Sequence, residues 1–134
     1  MPHLQFELSE PISDEEAQSF VTWVTELYSD VMDTGTDHVG VTIRDEATIA
    51  LGRADPDEPV AFLNGDIRAG RSFEQRRELA VTIMEEFADR WAIPTENMYV
   101  IYTEHGGEDF VLREGALQSW DAEEASEGGP ETEA

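Results

Sequence analysis

The second half of this chain repeats the first. Shifted by 59 residues without a gap, Ser13 falls on Ser72, Glu15 on Glu74, Phe20 on Leu79, Glu26 on Glu85, Asp30 on Asp89, Thr36 on Thr95, Val41 on Val100 and Asp45 on Glu104. Self-similarity at a fixed period marks a repeated supersecondary unit, whose apolar face is buried when its neighbour packs against it. The fold must therefore be readable twice.

In the first copy, His3 to Leu8 alternates polar and apolar residues, the pattern of a half-buried strand. Ser13 and Glu16 form an S-x-x-E capping box, and Asp14, Glu15 and Glu16 suit the positive end of a helix dipole. Ala17, Phe20, Val21, Val24, Leu27, Tyr28 and Val31 follow at helical spacing. "TGT" breaks the pattern, "DHVGVTI" reads as a strand, and "ATIALGR" is expected to pair with it as a hairpin. The polar "ADPDEP" leads into the second copy. There "VAFLNGDIR" is a strand, and Ser72 with Gln75 caps a helix whose apolar face is Leu79, Ala80, Ile83, Met84, Phe87 and Trp91. "IPTENMYVIYTE" gives a turn and a strand, and "EDFVLRE" a last short strand.

The expected fold is α/β (α+β) in a single domain over residues 1–118. It consists of two fused β-α-β-β units, pseudo-repeats 2–53 and 61–113, with a four-stranded mixed sheet and both helices on one face. The other face needs cover, and further subunits are the natural source. Residues 119–134 are acidic and Gly/Pro-bearing and read as a disordered tail.

At 134 residues and 40% hydrophobic the chain supports one core. No stretch reaches the roughly 20 apolar residues of a membrane span, and the first ten residues lack a signal-peptide pattern, so a cytoplasmic protein is expected. Asp and Glu number 31 against 8 basic residues, all Arg, for a net charge of −23; that field repels nucleic acid and anionic membranes. The acidity without Lys resembles halophilic proteins, whose self-repulsion is screened at high salt. Without cysteine there is no thiolate nucleophile, and the three histidines lack metal-ligand spacing, so neither metal nor cofactor is expected.

Pro2 has two readings. It is a residue tolerated at the first position of a strand, where no N–H is needed. It is equally a terminal secondary amine, because an initiator Met before a small residue is usually removed. Arg68 and Arg71 flank Gly70 between a strand and a helix N-terminus, where two guanidinium forks and free backbone N–H groups can meet a carboxylate; the alternative is pairing with nearby Glu. Phe110 lines a pocket or fills the core, and His38 positions a polar group or caps its turn. Tyr99 and Tyr102, three apart on one strand, point to opposite faces, so at most one of them serves a site; Tyr102 is either a donor to substrate or a plain sheet residue.

These features together resemble the tautomerase superfamily. "AGRSFEQRREL" and "VIYTE" followed by Phe110 are similar to stretches of 4-oxalocrotonate tautomerase; the length, "RAGRS" and "TGTDH" are similar to cis-3-chloroacrylic acid dehalogenase and its fused relatives. The resemblance covers residues 2–116. It implies a homotrimer whose sheets form a central barrel, with Pro2 as general base and Arg68 and Arg71 binding a small carboxylate substrate. A pocket role for Phe110 is implied too. The expected activity is keto–enol or 1,3-proton transfer on a 2-oxo or enol acid. The alternatives are hydration or dehalogenation with the same proline, or a non-catalytic trimeric binding protein. Leu112 stands near the place of the dehalogenases' water-activating carboxylate, with Glu114 two residues away, and Tyr99 replaces a second-strand arginine.

Overall fold

The computed structural model describes residues 2–116; the expected tail at 119–134 lies outside them. The elements are β1 (His3–Leu8), α1 (Asp14–Met32), β2 (Gly40–Arg44), β3 (Ala61–Arg68), α2 (Phe73–Trp91), β4 (Met98–His105), β5 (Val111–Leu112) and β6 (Gly115–Ala116), with 3-10 turns at Thr95–Asn97 and Gly107–Asp109.

The repeat is visible in the helices. α1 and α2 are both 19 residues long, and both carry complete capping boxes, on Ser13 with Glu16 and on Ser72 with Gln75. Each ends on a left-handed residue, Asp33 (φ 56°) and Ala92 (φ 55°), also 59 positions apart. The four-stranded sheet has the order β2-β1-β3-β4. Within each copy the strands are parallel, and the copies join through the antiparallel pair β1 and β3, in which His3 faces Asp66 and Leu8 faces Ala61. The sheet is thus mixed, with the helices over one face.

That face holds the core. Leu4, Phe6 and Leu8 of β1 and Ala61, Leu63 and Ile67 of β3 meet Phe20, Val24, Leu79, Ile83 and Phe87 of the helices. Edge-on aromatic pairs run through it, Phe6 with Phe20 and Phe20 with Phe87 at 4.9 Å between centroids, and Phe87 with Trp91 at 5.0 Å. The helices are antiparallel: Gln75 Nε2 donates to the Val31 carbonyl at one end (3.0 Å), and Arg90 donates to Ser19 Oγ at the other (3.1 Å). The opposite sheet face carries Tyr99 and Ile101, about half exposed, with Phe62 stacked on Tyr99 at 4.2 Å.

Two expectations need correction. "ATIALGR" is not a strand: the segment after β2 leaves the sheet, and the Ala47 N–H donates to the Leu8 carbonyl. β1 already occupies one edge of β2, and the chain bends back over the end of β1 instead of turning along the free edge. The last strand is also shorter than expected, since only Val111–Leu112 pairs, and it pairs with Gly115–Ala116 in a separate two-stranded sheet.

Candidate active site

One end of the sheet gathers the candidate residues. β1 starts there and β3 ends there, because the two are antiparallel: His3 pairs with Asp66, and β3 runs on to Arg68. Pro2 is buried, and its carbonyl accepts from the Gly40 N–H at 3.0 Å, which ties the start of β1 to the start of β2. Arg68 is 2% exposed and Arg71 6%. The turn between them needs Gly70, whose φ of 116° is open to glycine and strained for side-chain-bearing residues. The Ala69 N–H donates to the His105 carbonyl at 2.8 Å, and the Ser72 capping box fixes the start of α2. Arg68 therefore ends a strand, and Arg71 stands in the short connection between the Gly70 turn and the capped start of α2.

Buried guanidinium groups this close repel each other. Burial pushes the Arg71 pKa below its usual value; Tyr28 acts against that, Arg68 adds to it, and Asp33 raises the value. Tyr28, on the last turns of α1, is 1% exposed, and burial pushes its phenol up to about 12 while Arg71 and Arg68 pull it down. The sequence reading placed it on the apolar helix face, and it does belong to the core cluster; its charged neighbours, Arg71 and Arg68, are what the sequence reading missed. The repeat held the available signal, because 59 positions on the residue is Phe87.

Tyr102 lies on the helix side of β4, and Tyr99 on the open face, as strand parity required. Its ring crosses Gly65 of β3, where an added Cβ would sit 3.2 Å from Tyr102 Cδ1 and 3.3 Å from Leu4 Cδ2. The Tyr102 hydroxyl donates to the Arg76 carbonyl at 2.8 Å, so its proton points at backbone, and burial raises its pKa. His38 stands two residues before Gly40, at the same end as Pro2; its Nδ1 is buried, with no hydrogen-bond partner among the described residues. Phe110 sets its ring edge-on to His105 at 5.5 Å, and His105 hydrogen-bonds Asp66 at 2.9 Å, so Phe110 reaches this end of the sheet through His105. Glu114 is exposed, in the turn between β5 and β6. Among the described residues no group of three or more His, Cys, Asp or Glu is placed to hold a metal, and no helix is long and apolar enough to cross a membrane.

Solved structures share this architecture. N1, a member of the cis-3-chloroacrylic acid dehalogenase family, is 25% identical, with 90% of this chain and 87% of that one covered at a TM-score of 0.72. A native fused 4-OT is 23% identical, covering 83% and 92%, at 0.67. A macrophage migration inhibitory factor homologue from Prochlorococcus marinus is 9% identical, covering 85% and 97%, at 0.76. No family model and no curated protein matches the chain. The chain has the tautomerase-superfamily fold.

Proposed function

We propose that this protein is a tautomerase-type isomerase acting on a small 2-oxo or enol carboxylate, with Pro2 as general base. The observation that carries this reading is the meeting of buried Pro2 with buried Arg68 and Arg71 at one end of the sheet. Once Met1 is removed, the prolyl nitrogen has a lone pair, and a dry, cationic setting disfavours its protonated form. Arg68 and Arg71 hold the substrate carboxylate by charge-assisted hydrogen bonds. Pro2 takes a proton from the carbon next to the carbonyl, the electron pair moves into an enol, and the proton returns to another carbon or oxygen; reactant and product are isomers.

The working unit in this reading is a cytoplasmic homotrimer whose barrel covers the open sheet face, with half-exposed Tyr99 and Ile101 inside it. Light scattering is expected to give three times the chain mass. Hydration or dehalogenation by the same proline is less supported, because Leu112 offers no carboxylate and Glu114 is exposed in the turn between β5 and β6. Retained Met1 would leave no free proline amine and would favour a purely binding role. Intact mass spectrometry followed by ketonisation assays on phenylenolpyruvate and 2-hydroxymuconate tests the proposal. Turnover by the Met-free protein that disappears on N-terminal extension supports it; equal rates with a blocked terminus refute it.

A further inference from the structure

Where β3 and β4 end together, one side-chain bond ties the two turns that carry the candidate site. Their register closes on Arg68 opposite His105, and the Ala69 N–H donates to the His105 carbonyl at 2.8 Å. Beyond that point β3 turns through Gly70 toward Arg71, and β4 leaves through Gly106 and Gly107 toward Phe110. Phe110 leads into β5, which pairs with β6 in a sheet of its own. His105 bridges this divergence. Its Nε2 meets Asp66 Oδ1 of β3 at 2.9 Å, its Nδ1 lies 4.0 Å from Asp109, and its ring meets Phe110 edge-on at 5.5 Å. A carboxylate only accepts, so Nε2 is the nitrogen that carries a proton here.

The repeat shows what this bond adds. At the other end Glu7 takes the place of Asp66 and meets Arg44 at 3.9 Å, with both side chains about half exposed. The counterpart of His105 there is Glu46, a second anion, which has no proton to give Glu7. The short bond between His105 and Asp66 thus belongs to the end that holds Pro2, Arg68 and Arg71.

We propose that His105 is a positioning residue: held by Asp66, it fixes the Arg68–Arg71 turn against the Phe110 turn, so that the carboxylate clamp and the apolar wall keep one relative placement. Two guanidinium forks converging on one carboxylate are sensitive to small displacements, since a shift of about 1 Å costs up to about 10²-fold. The inference rests on the tautomerase reading of the same site.

The test is a double-mutant cycle on Asp66 and His105 in the Met-free full chain. It is read by KM and kcat with phenylenolpyruvate and by calorimetric binding of oxamate, a 2-oxo carboxylate mimic that needs no base. His105→Ala and Asp66→Ala are each expected to raise KM and weaken oxamate about tenfold, the loss of a hydrogen bond to a charged group, with kcat within about threefold. The double variant should be no weaker than the worse single, because the two side chains act as one unit. His105→Gln, whose amide can donate from the place of Nε2, should recover to within about threefold of wild type. Unchanged affinity in both Ala variants, additive losses, or a His105→Gln as weak as His105→Ala would overturn the proposal. A wild type that binds oxamate but does not turn over phenylenolpyruvate would defeat the tautomerase reading alone; the same loss and rescue in oxamate binding would still support His105.

Discussion

At the end of the molecule where α1 finishes and α2 begins lie Pro2, Tyr28, Arg68 and Arg71; at the other end the positions 59 residues away hold Ala61, Phe87, Ser9 and Ile12. The backbone is nearly the same at both, with the same caps, the same helix lengths and the same strand directions. The second end is closed by internal partners. Val60 N–H donates to Ser9 Oγ (3.0 Å), Ile12 N–H donates to Asp45 (2.9 Å), and Phe20, Phe87 and Trp91 pack edge to face behind them. Four side chains therefore separate a candidate active site from a hydrophobic plug. A duplicated scaffold offers the same pocket position twice, and chemistry is needed at only one of them.

Each end can be broken independently. The largest effect is expected from Pro2→Ala, which removes the secondary amine and should cut turnover about 10²–10⁴-fold, the range of a general base, while leaving Tm near wild type. A variant retaining full turnover would erase the functional difference between the ends. At the plugged end, Phe87→Ala is expected to cost about 3–5 kcal/mol in chemical denaturation, because it opens a cavity inside the aromatic cluster. A cost below about 1 kcal/mol would show that this end is not a packed core.

Arg71→Ala comes next, with KM for a carboxylate substrate expected to rise about 10–100-fold, the loss of charge-assisted hydrogen bonds. A change confined to kcat would argue against the clamp. The smallest effect is alkaline. Tyr28 has its pKa raised from 10.0 to about 12, so the fold favours the protonated phenol; that contribution is whole below pH 10 and is lost as pH rises toward 12. Burial, the largest cause of the raised Tyr102 pKa, acts in both proteins, and Tyr28 adds to it only in wild type; the comparison is wild type against Tyr28→Phe. Relative to the variant, wild type should lose about 1–3 kcal/mol between pH 9.5 and 12, and parallel melting curves would contradict the burial of the Tyr28 phenol.

Much of the scaffold is legible in single stretches of chain. Ser13-x-x-Glu16 and Ser72-x-x-Gln75 start both helices where they were expected, since a capping box is a local pattern of donors and acceptors. Phe20, Val24, Leu79, Ile83 and Phe87 face the core because helical periodicity is local too. "ATIALGR" misled for the complementary reason: its residues show at most that it suits a strand, while the path the chain takes after β2, back over the end of β1, is set by the sheet as a whole. The Asp66 to His105 bond and the stacking of Phe62 on Tyr99 depend on the register between β3 and β4, which no stretch of either strand encodes alone.

By itself the sequence determined the repeat, the capped helices, the apolar faces, and the presence of Pro2, Arg68 and Arg71 at element boundaries, because each of these is written within a few residues. Only the tertiary structure decided that the start of β1 lies beside the end of β3, that Tyr102 directs its proton to the Arg76 carbonyl, and that of the two core rings Tyr28 and Phe87 the first has arginines for neighbours. Those outcomes follow from the antiparallel joining of two parallel units and from burial, which sets what a phenol or a guanidinium group feels from all sides at once.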